Sequence, residues 1–274
     1  MVKSKNPYEL KLMRQSGKIA ASALKKAIES IKVGVSEIEV DKRAEEEIYR
    51  LGGDLSYKTV LGYQFATCIT VNEQVVHGLP TDRKFEEGDI VGVDLAVCFK
   101  GWHTDCAWSV LIEDGKLKME DKQSLPSDEG KQSLPSDDGR KEKKRFLEVG
   151  EKALWEAIEQ AVEGNSVGDI SNAIQTRIEG AHLSIVRSLV GHGIGRSLHE
   201  SPEISGYGKK GMGVKLKAGM TLAVEVIYTS GGSDVVLGED GWTFSTADGS
   251  LGGLFEMTVV VGKKQAEVLT GFVI

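Results

Sequence analysis

The chain has 274 residues, 40% of them hydrophobic and 27% charged, with a net charge of −7 at neutral pH. That is enough for one large core or two fused halves, and the acidic balance leaves no electrostatic footprint for nucleic acid or an anionic membrane. No apolar run approaches the roughly 20 residues that cross a bilayer, and the first residues lack a signal-peptide core, so a cytoplasmic setting is expected.

Asn6-Pro7 with Glu9 reads as a helix start: an N-cap, proline in the first turn, and a glutamate able to reach back to the cap amide. Leu10, Met13, Ala20, Leu24, Ile28 and Ile31 then keep a helical stripe. A second helix opens at Ser36, with Glu39 completing a capping box, and runs through Ala44, Ile48 and Leu51 to a stop at Gly52-Gly53. A strand follows around Thr67–Asn72. Ile90–Phe99 and Trp102–Leu111 read as strands of a hairpin turned at Lys100-Gly101. A two-residue turn sets Phe99 opposite Trp102 and Ala96 opposite Asp105. Asp94 is then a diagonal neighbour of Asp105, and the hairpin aims both carboxylates at one point.

Residues 122–130 read KQSLPSDEG and 131–139 read KQSLPSDDG, a tandem repeat too polar and too short for a solenoid. Segment 113–144 is therefore expected to be an exposed, mobile insertion, a duplicated surface loop. Order resumes with a helix carrying Leu147, Leu154, Ile158 and Ala161, then a shorter one near Val167–His182. Glycine-rich turns next alternate with strands at Met220–Tyr228 and Leu254–Gly262. Helices and strand pairs thus occur twice, which predicts an α+β domain of two αβ halves around a central mixed, mostly antiparallel sheet.

Asp94, Asp105, Glu225 and Glu256 each interrupt or border an apolar strand-like run, and a buried carboxylate without a counter-charge costs several kcal/mol or stays protonated. Four such intrusions, with His192 in the glycine-rich GHGIG, call for a shared cation. The set is oxygen-rich, which suits a pair of divalent first-row ions better than one structural zinc. Cys68, Cys98 and Cys106 contain no CxxC pair, which argues against a disulfide framework and a cysteine-held zinc; Cys98 and Cys106 read as small buried hydrophobes. His103 lies on the same hairpin face as Asp105, while His182 reads as a helix-end or surface group. GHGIG and GYGKKGMG lack the ending and the strand–loop–helix setting of phosphate loops.

Five segments occur here in the order and spacing of a known family: CITVNEQVVHGLP, GDIVGVDLAVCFKGWHTDCAWSV, VGHGIGRSLHESPEI, AGMTLAVEV and FEMTVVV. Outside the insertion, the whole chain resembles the type I methionine aminopeptidases, which are pita-bread metallopeptidases. The resemblance implies removal of N-terminal methionine from nascent chains by a water that two divalent ions (Mn, Fe, Co or Zn) activate. By the same alignment Asp94 would hold one ion, His192 with Glu225 the other, and Asp105 and Glu256 would bridge them. Glu225 would also shuttle the proton, His199 would contact the substrate carbonyl, and His77 would lie at the scissile amide. Val60, Tyr63, Cys68, Leu198 and Trp242 would line the methionine pocket. A monomer is implied, with transient ribosome association.

The chain departs from the family pattern at Val226, where proline is usual, and at Met257, where histidine is usual. These two changes bear on the support of the metal ligands. Val60 and Leu198 stand where larger aromatics are usual, and imply a pocket open to leucine-like side chains. Two other readings share the fold: an Xaa-Pro peptidase, whose members usually carry a longer N-terminal domain, and a non-catalytic binding protein, whose members typically lose metal ligands.

Overall fold

A computed structural model describes residues 3–113 and 137–272. Helix α1 (Pro7–Ser30) opens on a closed capping box: the Asn6 side chain accepts from the Tyr8 and Glu9 amides, and Glu9 accepts from the Asn6 amide. Helix α2 (Glu37–Arg50) repeats the device with Ser36 and Glu39, and ends where Gly52 adopts a φ of +79°. Both starts are those expected from sequence, because N-cap chemistry is local.

The strands of the first half are β1 (Asp54–Leu55), β2 (Thr67–Val71), β3 (Gln74–Val76), β4 (Ile90–Phe99) and β5 (Trp102–Leu111), with a 3-10 turn at Ser56–Thr59. The second half has helices α3 (Asp137–Glu159) and α4 (Val167–Gly180). Its strands are β6 (Ser184–Ile185), β7 (Val190–Gly193), β8 (Glu200–Ser205), β9 (Thr221–Thr229), β10 (Val235–Leu237), β11 (Phe244–Thr246), β12 (Gly252–Val260) and β13 (Glu267–Val268). The large sheet runs β1-β4-β5-β12-β9-β7-β8, with β2 beside β4, β6 beside β9 and β13 beside β12. A small sheet runs β10-β11-β3.

Helices α1 and α2 cover β4, β5 and β2, whereas α3 and α4 cover β12, β9 and β8. This is the expected pair of αβ halves, and β5 against β12 joins them. The covered face of the sheet is apolar, with Val91, Leu95, Val224, Val226, Phe255, Met257 and Val259 buried beneath the helices. The other face is left for the site. Gly150 lets α3 settle: a Cβ there would lie 2.3 Å from the Tyr228 hydroxyl, which donates to the Phe146 carbonyl at 2.8 Å. No helix of the described residues is long and apolar enough to cross a membrane.

The hairpin has the predicted register, Phe99 opposite Trp102 and Ala96 opposite Asp105. Lys100 and Gly101 both take positive φ, +52° and +74°, which gives the strands the twist a two-residue turn needs. One expectation is corrected. Helix α3 begins at Asp137, so residues 137–144 are helical, not loop, and most of the tandem repeat lies outside the described residues. The run RKEKKR is rich in good helix formers. Arg140 and Lys144 reach Glu113 at 3.8 and 2.9 Å, which ties the start of α3 to the end of the hairpin.

Candidate metal centre

Sheet pairing alone brings the expected ligands together. Asp94 pairs with Ala107, Ala107 with Glu256, and Glu256 with Glu225, which makes one row across β4, β5, β12 and β9. Asp105 lies two residues from Ala107, and His192 pairs with Ala223, two residues from Glu225. Side chains alternate along a strand, so all five project from the face the helices leave uncovered. Asp105, His192 and Glu256 are buried, with ligand atoms within 4.8 Å of one another.

The electrostatics are those of a site built for a cation. Burial pushes Asp105 and Glu256 well above the carboxylate range, and their carboxylate neighbours push them further. Burial and Asp94 raise Glu225 to about 8, while Asp94 rises to about 6 through burial, partly offset by a hydrogen bond from Tyr57. Among the described residues, no lysine or arginine lines the cleft above them. Among the described residues Glu256 Oε1 is buried without a hydrogen-bond partner, the condition expected of a carboxylate that completes its coordination with a metal.

The imidazole fits the same reading. His192 Nδ1–H donates to the Gly193 carbonyl at 2.9 Å, which fixes the tautomer and leaves Nε2 as the lone-pair nitrogen. Burial, then His199, lowers its pKa to about 4, so it is neutral and ligand-competent near pH 7. These donors fit divalent ions.

The cleft has a volume of about 580 Å³ and contains every residue expected of the substrate pocket: Val60, Tyr63, Cys68, Leu198 and Trp242, with His77 and His199. Tyr63 packs edge-on against Trp242 at 5.1 Å, and its hydroxyl donates to the Thr67 carbonyl at 2.7 Å. His199 lies 4.4 Å from His192, ring centre to ring centre, and His77 stands against Phe244 at 6.0 Å. Both rings are reached by solvent yet sit in a concave cleft whose desolvation lowers their pKa.

Val226 and Met257, the departures beside Glu225 and Glu256, point to the opposite face of the sheet. Both are in the helix-covered core, where the Met257 sulfur accepts from the Thr270 hydroxyl at 3.2 Å. They touch packing and not the carboxylates. His103 is buried outside the cleft, with Nδ1 hydrogen-bonded to Ser56 at 2.6 Å; Cys106 is buried as expected, while Cys98 is only half-buried.

Two residues at the site escaped sequence reasoning. Tyr57 lines the cleft, and its hydroxyl donates to Asp94 Oδ1 at 2.7 Å. The Thr258 hydroxyl both accepts from the Asp105 amide and donates to the Asp105 carbonyl, each at 2.8 Å, which closes the β5–β12 seam beside the Asp105 carboxylate. Neither carries a periodic or spaced signal.

The model of metallopeptidase family M24 matches residues 11–263. The methionine aminopeptidase of Clostridium perfringens is 37% identical over 98% of this chain and 99% of its own. Methionine aminopeptidase 1 of Bacillus subtilis is 35% identical over the same shares. The crystal structure of methionine aminopeptidase from Thermotoga maritima superposes with a TM-score of 0.88 at 36% identity, over 99% of this chain and 100% of that one.

Proposed function

Because this chain belongs to metallopeptidase family M24 and has the pita-bread fold, we propose that it removes the N-terminal methionine of nascent proteins and peptides with two divalent ions. What carries the reading is one observation. Carboxylates from four strands and a neutral imidazole line one cleft, which among the described residues has no cationic side chain.

In this proposal Asp94 would hold one ion, His192 and Glu225 would hold the other, and Asp105 and Glu256 would serve both. Mn, Fe, Co and Zn all suit such donors, and availability selects among them. Bound ions supply a water of lowered pKa and polarise the scissile carbonyl.

The chain's own groups do the rest. Glu225 takes the proton of the attacking water and returns it toward the leaving amine. His199, kept neutral by its lowered pKa, donates a ring N–H to the carbonyl oxygen as charge develops there. His77, also kept neutral by its lowered pKa, hydrogen-bonds at the scissile amide and passes on to the departing nitrogen the proton that Glu225 took from the water. Asp94 draws the free α-amine, which restricts the reaction to a chain end. The methionine side chain lies against Val60, Tyr63, Cys68, Leu198 and Trp242, where aromatic and aliphatic walls with a sulfur neighbour suit an unbranched thioether. The enzyme works as a cytoplasmic monomer in transient contact with the ribosome.

The test is release of free methionine from Met-Ala-Ser by protein stripped of metal and then titrated with Mn or Co. Metal-restored release, absent with the N-acetylated peptide, is the expected result. No release together with tight metal binding would transfer the site to another substrate. No release and no binding would leave a binding protein.

A further inference from the structure

Tyr57 stands out among the residues of the cleft. Its hydroxyl lies 2.7 Å from Asp94 Oδ1 and 3.4 Å from Asp105 Oδ1. Among the described residues it is the side-chain donor from outside the cluster that is hydrogen-bonded to the candidate ligand carboxylates, while Glu256 Oε1 has no partner at all. The ring is held as firmly as the hydroxyl. Tyr57 belongs to the 3-10 turn Ser56–Thr59, which Ser56 pins to β5 through His103 at 2.6 Å and which Thr59 closes through the Ser56 carbonyl at 2.7 Å. Its ring meets Tyr63 edge-on, centroids 5.5 Å apart.

We propose that Tyr57 is a positioning residue: its hydroxyl fixes the plane of the Asp94 carboxylate, so that the remaining lone pairs are presented to a cation without a search over rotamers. An aspartate carboxylate turns freely about its last torsion unless something holds it. A charge-assisted hydrogen bond from a rigid donor is an effective hold. Partners of this kind typically carry a 10–100-fold effect on metal affinity. The chain from His103 through Ser56 to Tyr57 also assigns His103 a part in the site, although it lies outside the cleft.

This inference rests on the metal reading above, and the experiment separates the two. Protein freed of metal by chelation is titrated with Mn(II), with free Mn followed by electron paramagnetic resonance, for the native chain and for Tyr57→Phe. The phenylalanine keeps the ring and the shape of the cleft and removes only the donor. The expected result is a loss of Mn affinity of about 10-fold or more, with kcat recovering toward the native value once Mn is in excess. Tyr57→Phe binding Mn within twofold of the native chain would overturn the positioning role while leaving the metal reading intact. A native chain that binds no Mn would overturn both. Should Tyr57→Phe fail to fold, Ser56→Ala releases the turn without touching Asp94 and must also weaken Mn binding; unchanged binding in it would overturn the proposal.

Discussion

Glu225 on β9 and Glu256 on β12 are direct cross-strand partners, with no lysine or arginine among the described residues that line the cleft they share. Like charges set opposite each other in a sheet repel, and burial adds the cost of desolvation. A fold that keeps both must hold protons there, or a cation.

Replacement of Glu256 by Gln is therefore expected to leave the metal-free protein at least as stable as the native chain, since it deletes a raised, unpartnered acid. Methionine release should fall to background. Thermal melting without metal and peptide assays with Mn check the two halves, and near-native turnover would contradict the ligand assignment of Glu256.

Metal should stabilise the native state by mass action. At a free Mn concentration 100-fold above Kd the gain is about 2.7 kcal/mol, which raises Tm by roughly 5–10 °C for a chain of this size. Chelator should reverse it. A melting temperature indifferent to Mn at concentrations that support turnover would speak against a site in the folded core.

Val60 and Leu198 leave aliphatic wall in the substrate cleft, so cleavage of a Leu-Ala-Ser peptide alongside Met-Ala-Ser is expected. Leu198→Phe should narrow the cleft and raise the methionine-to-leucine ratio of kcat/KM by about 10-fold, within the range that apolar pockets achieve. An unchanged ratio would place the specificity wall elsewhere.

Lys5 and Glu200 form an ion pair at 2.7 Å, and Glu200 also accepts from the Arg196 and Ser197 amides, which braces the loop that carries Leu198 and His199. Burial pushes Glu200 up, but the hydrogen bond and charge of Lys5 and the two amides outweigh it and hold the carboxyl below its usual value. A depressed folded pKa gives stability that is fully present above the unfolded value near 4.3 and is lost as pH falls through the folded one. Lys5→Met should cost about 1–3 kcal/mol at pH 7, and the cost should shrink as pH drops below 4. Urea midpoints at pH 7 and at pH 3.5 measure this.

The parts of the fold legible from sequence are those with local causes. Asn6, Ser36 and their glutamates mark helix starts because the capping bonds span three residues. Lys100-Gly101 sets the register of a hairpin whose turn admits only one. The start of α3 at Asp137 was hidden, because the repeat's serine, proline and glycine outweigh the basic helix formers that follow. In sequence Val226 and Met257 adjoin Glu225 and Glu256, but the alternation of β9 and β12 turns both into the core.

By itself the sequence determined the identity of the carboxylates, their pairing within one hairpin and the resemblance carried by the glycine-rich histidine segment. Only the tertiary structure decided that residues from β4, β5, β12, β9 and β7 share one face of one sheet, that the Tyr57 hydroxyl reaches Asp94, and that Thr258 closes the seam beside Asp105. The physical reason is register. Within a hairpin the turn sets it, whereas between strands more than a hundred residues apart it is chosen by burying one face beneath helices, and that choice delivers the polar residues of the other face to a common point.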